Sequence, residues 1–110
     1  MKTIIWDTNF NGKLHCSRFA HVDLAPAKMP LQADLEKAVF TITTADSSHQ
    51  PVHAKVEAII PFRLAELSNI HTWPSHGMDT AEFMEWQHRK KKVDKDTVLA
   101  VYYYKKVAVN

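Results

Sequence analysis

At 110 residues the chain has room for one hydrophobic core and not two, so a single domain over residues 1–110 is expected. Its 45% hydrophobic and 24% charged content is that of an ordinary globular protein, and a net charge of +2 excludes a global field that would by itself attract nucleic acid. One cysteine excludes an internal disulfide, and no apolar run approaches the roughly 18 residues that cross a bilayer.

At the N-terminus, charge at Lys2 and Asp7 comes too early for the apolar core of a secretory signal, so the expected setting is cytoplasmic and reducing, without a membrane partner. Thr3 to Trp6 is β-branched and aromatic and predicts a first strand that leads into the loop Asp7 to Gly12. Leu14 to Val22 alternates loosely and predicts a second strand carrying Cys16 and Arg18. Pro26 and Pro30 then interrupt both helix and ladder, which makes Asp23 to Asp34 a connection, with a helical turn near Leu31 to Lys37.

Ala38 to Thr44 is a strand by composition, and Ala45 to Pro51 is rich in residues that bond their own backbone in turns. Val52, Ala54, Val56, Ala58, Ile60 and Phe62 then recur at a period of two, with His53, Lys55 and Glu57 on the alternate face. The two segments predict a hairpin.

Leu64, Leu67 and Ile70 recur at a period of three, the trace of a short helix after Pro61, and Pro74 and Gly77 predict a loop over His71 to Met78. A second helix starts at Asp79, which is placed to cap the amide of Glu82, and carries Phe83 and Trp86 inward. It ends in Arg89, Lys90, Lys91 and Lys92, where cations suit the negative end of the helix dipole. Thr97 to Tyr104 is apolar or aromatic on both faces, as a covered central strand would be, with a last short strand at Val107 to Val109. The order predicts an α+β domain: a small barrel of mostly antiparallel strands with two short helices.

Two stretches of the chain resemble the ASCH domains of the PUA-like superfamily. The first is Gly12 and Lys13 followed by Cys16 and Arg18. The second is the succession of the strand Val52 to Phe62, Leu64 to Leu67, His76 to Met78, the helix opening Asp79 to Phe83, and the strand Val98 to Tyr104. The resemblance implies a PUA-like β-barrel and RNA, or a modified nucleoside or nucleotide, as ligand. Some ASCH proteins are amidohydrolases acting on acetylated cytidine, with a lysine, a threonine three residues on and a distant glutamate as the proposed catalytic group. By position the lysine is Lys13, while Cys16 and His76 stand where the threonine and glutamate would be.

A thiol is a better nucleophile than a hydroxyl, and the neighbouring cations Lys13 and Arg18 favour its reactive form. His76, beside Gly77, has the chemistry of a general base. Lys13, Cys16 and His76 are therefore the candidate catalytic residues. Against this, a lone cysteine packs as a small hydrophobe, and a histidine before glycine serves a turn. Gly12, Lys13, Arg18 and Trp73 are the candidate ligand contacts, because adjacent cations near loop amides suit a phosphate and a loop tryptophan offers a flat face to a base. Arg89, Lys90, Lys91 and Lys92 either face solvent or contact a nucleic-acid backbone. The seven histidines show no metal-ligand spacing, and neither metal nor cofactor is expected. Three functions follow: a binding module for RNA or a modified nucleoside in a pocket at the barrel edge, between the Lys13 to Arg18 stretch and the Thr72 to Met78 loop; a hydrolase of a modified nucleoside or RNA at the same pocket; and a protein-interaction module whose barrel holds nothing.

Overall fold

The computed structural model describes residues 2–90 and 97–108. In chain order the elements are β1 (Lys2–Trp6), a 3-10 segment (Phe10–His15), β2 (Arg18–Leu24), α1 (Gln32–Lys37), β3 (Phe40–Thr44), β4 (Val52–Arg63), a 3-10 turn (Leu64–Glu66), α2 (Asn69–His76), α3 (Thr80–Lys90) and β5 (Val98–Lys106). The fold is α+β as expected, with three α-helices among the described residues where two were expected. β5 ends at Lys106, and Val109 of the expected last strand lies outside the described residues.

The five strands form one mixed sheet in the order β1-β3-β4-β5-β2. β1 runs parallel to β3, and every other pair is antiparallel. The expected barrel is not closed: β1 and β2 are the two edges of an open sheet. The edge groups of β2 are taken by side chains. Ala20 O accepts from Lys13 Nζ at 3.1 Å, and Val22 N donates to Ser75 Oγ at 2.6 Å. Leu24 N donates to Asp23 Oδ1 at 2.8 Å while its carbonyl accepts from Tyr102 Oη at 2.6 Å. With these groups satisfied, a closing strand has little to pair with, and the edge is blunted as natural sheet edges are.

The hairpin of β3 and β4 forms with Phe40 opposite Ala54 and Ile42 opposite Val52. The strict alternation expected along β4 breaks at Glu57, where a bulge lets Val56 face Tyr104 and Ala58 face Tyr103. The extra residue reverses the phase, so Ile59 joins the cluster of Val56 and Tyr104 and leaves Ile60 53% exposed. That cluster also holds Trp6, Phe10, Leu14 and Phe19. A second cluster of Val22, Phe83, Leu99 and Val101 adjoins it through Met78 and Trp86, which pack on both.

Two further segments depart from expectation. The residues read as the start of the second strand instead form the 3-10 segment, because Asn11 and Gly12 adopt left-handed conformations (φ 56° and 65°) and Leu14 N donates to Asn9 Oδ1 at 2.9 Å. The residues read as a loop around Pro74 form α2. Pro74 has no N–H for the carbonyl of Ile70 four residues back, and Ile70 is a strongly exposed residue. Gly77 closes the helix in the left-handed conformation, its N–H donating to Trp73 O at 2.9 Å.

Candidate functional site

The reversal at Asn11 and Gly12 turns Lys13 inward, under the edge of β2, where it is 4% exposed. Its Nζ meets Ala20 O at 3.1 Å, Ser75 O at 2.5 Å and His21 Nδ1 at 2.5 Å, and lies 4.5 Å from the centroid of Trp6. Burial pushes the Lys13 amine down to about 6, so at neutral pH it is mostly uncharged. A neutral amine has two N–H donors and one lone pair. The two carbonyls take the donors, and the lone pair accepts from His21 Nδ1–H, which places the acceptor nitrogen of that imidazole at Nε2.

A second buried pair lies beside the first. Val22 N–H donates to Ser75 Oγ, which also hydrogen-bonds His76 Nδ1, 2.5 Å away. The other ring nitrogen of His76, Nε2, has no hydrogen-bond partner among the described residues. It sits among the rings of Phe10, His21, Phe83 and Trp86, at centroid distances of 4.5 to 5.0 Å. Burial first, and the charge of Lys13 when protonated second, hold the imidazole down at about 3.

This cluster borders a cavity of about 130 Å3. One side is the end of β1, with Trp6 followed by Asp7, and the other is His21 to Asp23 of β2. Phe10 of the 3-10 segment, with Trp86 and Gln87 of α3, completes it. The cavity thus occupies the gap between the two edge strands, where a closed barrel would have none.

No family model matches the chain, and no curated protein matches it in sequence. In structure it is similar to an ASCH domain from Lactobacillus crispatus JV V101, with a TM-score of 0.57 and 12% identity over 84% of this chain. The fold is ASCH-like. The chain spans 66% of the length of that ASCH domain.

Within the ASCH-like fold the two stretches singled out in the sequence do meet. Lys13 bonds the backbone of Ser75, and Asn11 Nδ2 donates to Trp73 O at 3.1 Å. Lys13 and His76 come together around His21. Cys16 is exposed and follows the 3-10 segment, with its N–H donating to Lys13 O at 2.9 Å. Gly12 is exposed, and Arg18 is turned to Glu57, its Nε donating to Oε1 at 2.9 Å. Trp73 is 51% exposed on α2. Cys16, Gly12, Arg18 and Trp73 are not among the cavity walls, and neither are Lys13 and His76, which lie behind His21. Arg89 and Lys90 end α3, while Lys91 and Lys92 lie outside the described residues.

Sequence reasoning did not single out His21, Ser75, Trp6 or Gln87. For His21 a cue existed: it stands two residues after Phe19, on the inward phase of β2, where a histidine needs a buried partner. Among the described residues no group of three or more His, Cys, Asp or Glu side chains is placed to hold a metal ion, and no helix is long and apolar enough to cross a membrane.

Proposed function

We propose that the domain binds RNA or a nucleoside in the cleft between β1 and β2. The observation that carries this reading is the cavity itself, walled by Trp6, Phe10 and Trp86 and bounded inside by His21, whose tautomer is tied to a buried, largely neutral Lys13. Aromatic walls accept the face of a base, and fixed polar groups between them select its edge. If the ligand is part of a strand, Gly12, Arg18 and Trp73 on the outer surface, and the cations Arg89, Lys90, Lys91 and Lys92, contact the nucleotides that flank the bound base. A reducing, cytoplasmic setting suits the exposed thiol of Cys16.

Titration of the protein with single-stranded RNA and with the four ribonucleosides at low salt, followed by tryptophan fluorescence, tests the reading. Trp6 and Trp86 line the cavity, so an occupied cleft changes their emission. Binding to none of these ligands removes the proposal and leaves a protein-interaction module.

A second reading, hydrolysis at the same cleft, is favoured by one observation: an amine held near neutrality against an imidazole is the pairing a proton transfer needs. In that reading Lys13 and His76 handle protons or charge, and Cys16, which is not among the cavity walls, is the nucleophile toward a substrate that extends from the cleft to the surface. Release of product from a modified nucleoside, lost in Cys16→Ser, would favour it over simple binding.

A further inference from the structure

Gln87 is the side chain of the cleft that packing does not explain. It is 3% exposed, it lines the cavity, and no hydrogen bond joins its amide to any described residue. The other polar side chains there are differently placed: Asp7, His21 and Asp23 each have a partner of their own. The Gln87 amide is not among the fully enclosed unpaired atoms of the described residues, which are Thr72 Oγ1 and His76 Nε2, so it keeps contact with the solvent of the cavity that it lines. An apolar residue of equal length at this position would break no hydrogen bond within the fold.

We infer that Gln87 is a specificity-determining residue, its amide held in reserve for the edge of a planar heterocycle that presents an adjacent donor and acceptor. The inference rests on the reading of the cleft as a base-binding site and deepens it. A carboxamide offers one acceptor and two donors in a plane, and so pairs with an amide-like edge through two bonds at once. The aromatic walls Trp6, Phe10 and Trp86 supply stacking that is indifferent to the identity of the ring. Discrimination therefore falls to Gln87, which follows Trp86 directly on α3 and reaches the same cavity. At about 130 Å3 the cavity has room for one aromatic ring. A neutral reader in a confined space selects the edge of that ring and not its charge.

The test uses the whole chain, the four ribonucleosides and N3-methyluridine, with affinity and melting temperature measured together. In Gln87→Met the affinity for the nucleoside that the native protein prefers falls by about tenfold or more, while the melting temperature stays the same or rises. In Gln87→Glu, which keeps the shape but has no N–H donor at pH 8, the preference moves toward cytidine and adenosine, whose exocyclic amino groups still find an acceptor. Unchanged affinity in both variants overturns the inference and leaves the binding site standing. A melting temperature lowered in both variants overturns it as well, because it would make Gln87 a structural residue. If the native protein binds none of the five nucleosides, the base-binding reading falls, and the inference with it.

Discussion

The amine of Lys13 and the imidazole of His21 meet at 2.5 Å, eight residues apart in the chain and buried beneath the edge of β2. The pair is linked to α2 by the bond from Lys13 to Ser75 O, so one side chain ties the 3-10 segment, the edge strand and the helix together. Because the amine is held down at about 6, against an ordinary value of 10.5, its burial has a pH signature.

Between about pH 6 and 10.5 the unfolded chain holds a proton on Lys13 that the folded chain does not. Stability therefore rises with pH across that window, by at most about 1.4 kcal/mol per pH unit. His76, held at about 3, acts in the same direction between about 3 and 6.5. Thermal melts from pH 5 to 9 should show a rising transition temperature. In Lys13→Met the rise above pH 6.5 flattens, while at pH 9 the variant is less stable by about 1–3 kcal/mol because Ala20 O and Ser75 O lose their donor. Parallel slopes in the two proteins would contradict the assignment of a neutral amine.

Ser75→Ala removes the acceptor of Val22 N and the hydrogen-bond partner of His76 Nδ1 in one step. Both groups are buried, and a loss of about 1–3 kcal/mol is expected. Amide exchange gives the sharper readout: the Val22 N–H, held by Ser75 in the native protein, should exchange markedly faster in the variant. Unaltered protection at Val22 would mean that Ser75 does not cap the edge.

Gly77 and Gly12 have nearly the same conformation, φ 66° and 65°, in different surroundings. A Cβ at Gly12 meets nothing within 4 Å, whereas one at Gly77 lies 3.2 Å from Asn11 Oδ1 and 3.3 Å from Asn11 Cβ. Gly12→Ala incurs only the left-handed backbone penalty of about 1 kcal/mol. Gly77→Ala incurs the same penalty and also crowds Asn11, whose side chain bonds Trp73 O, and should be the more destabilising of the two in denaturant unfolding. Equal losses would argue against a close approach of the 3-10 segment to α2.

Cys16 is exposed, and a maleimide should label it stoichiometrically in the folded protein without denaturant. Since the thiol is not among the cavity walls, labelling leaves nucleoside affinity intact under the binding reading. Under the hydrolase reading the same modification abolishes turnover. A thiol that labels only after unfolding would contradict its placement on the surface.

Some of this was legible because it is local. The β3–β4 hairpin follows from alternation and a turn-rich connection, and Glu82 N does donate to Asp79 Oδ1, at 2.8 Å, where α3 begins. The ASCH-like fold likewise matches the resemblance read from the order of segments. The bulge at Glu57 was not legible, because a single extra residue changes the facing of a strand without changing its composition. Nor was the path of α2 through Pro74, where the anchoring of Ser75 by Val22 and Lys13 outweighs a weak local preference.

By itself the sequence determined the hairpin, the long closing strand and the start of α3, since alternation and capping involve residues a few positions apart. It also marked Lys13 as the centre of its most varied polar stretch. Whether Lys13 was a solvated turn cation or a buried amine was decided by the tertiary structure alone, because one of its carbonyl partners, that of Ser75, lies 62 residues away. The same bonds block the edge of β2, hold the sheet open and leave a cleft. An isolated segment has no low-dielectric interior to lower the pKa of an amine, and only the packed chain supplies one.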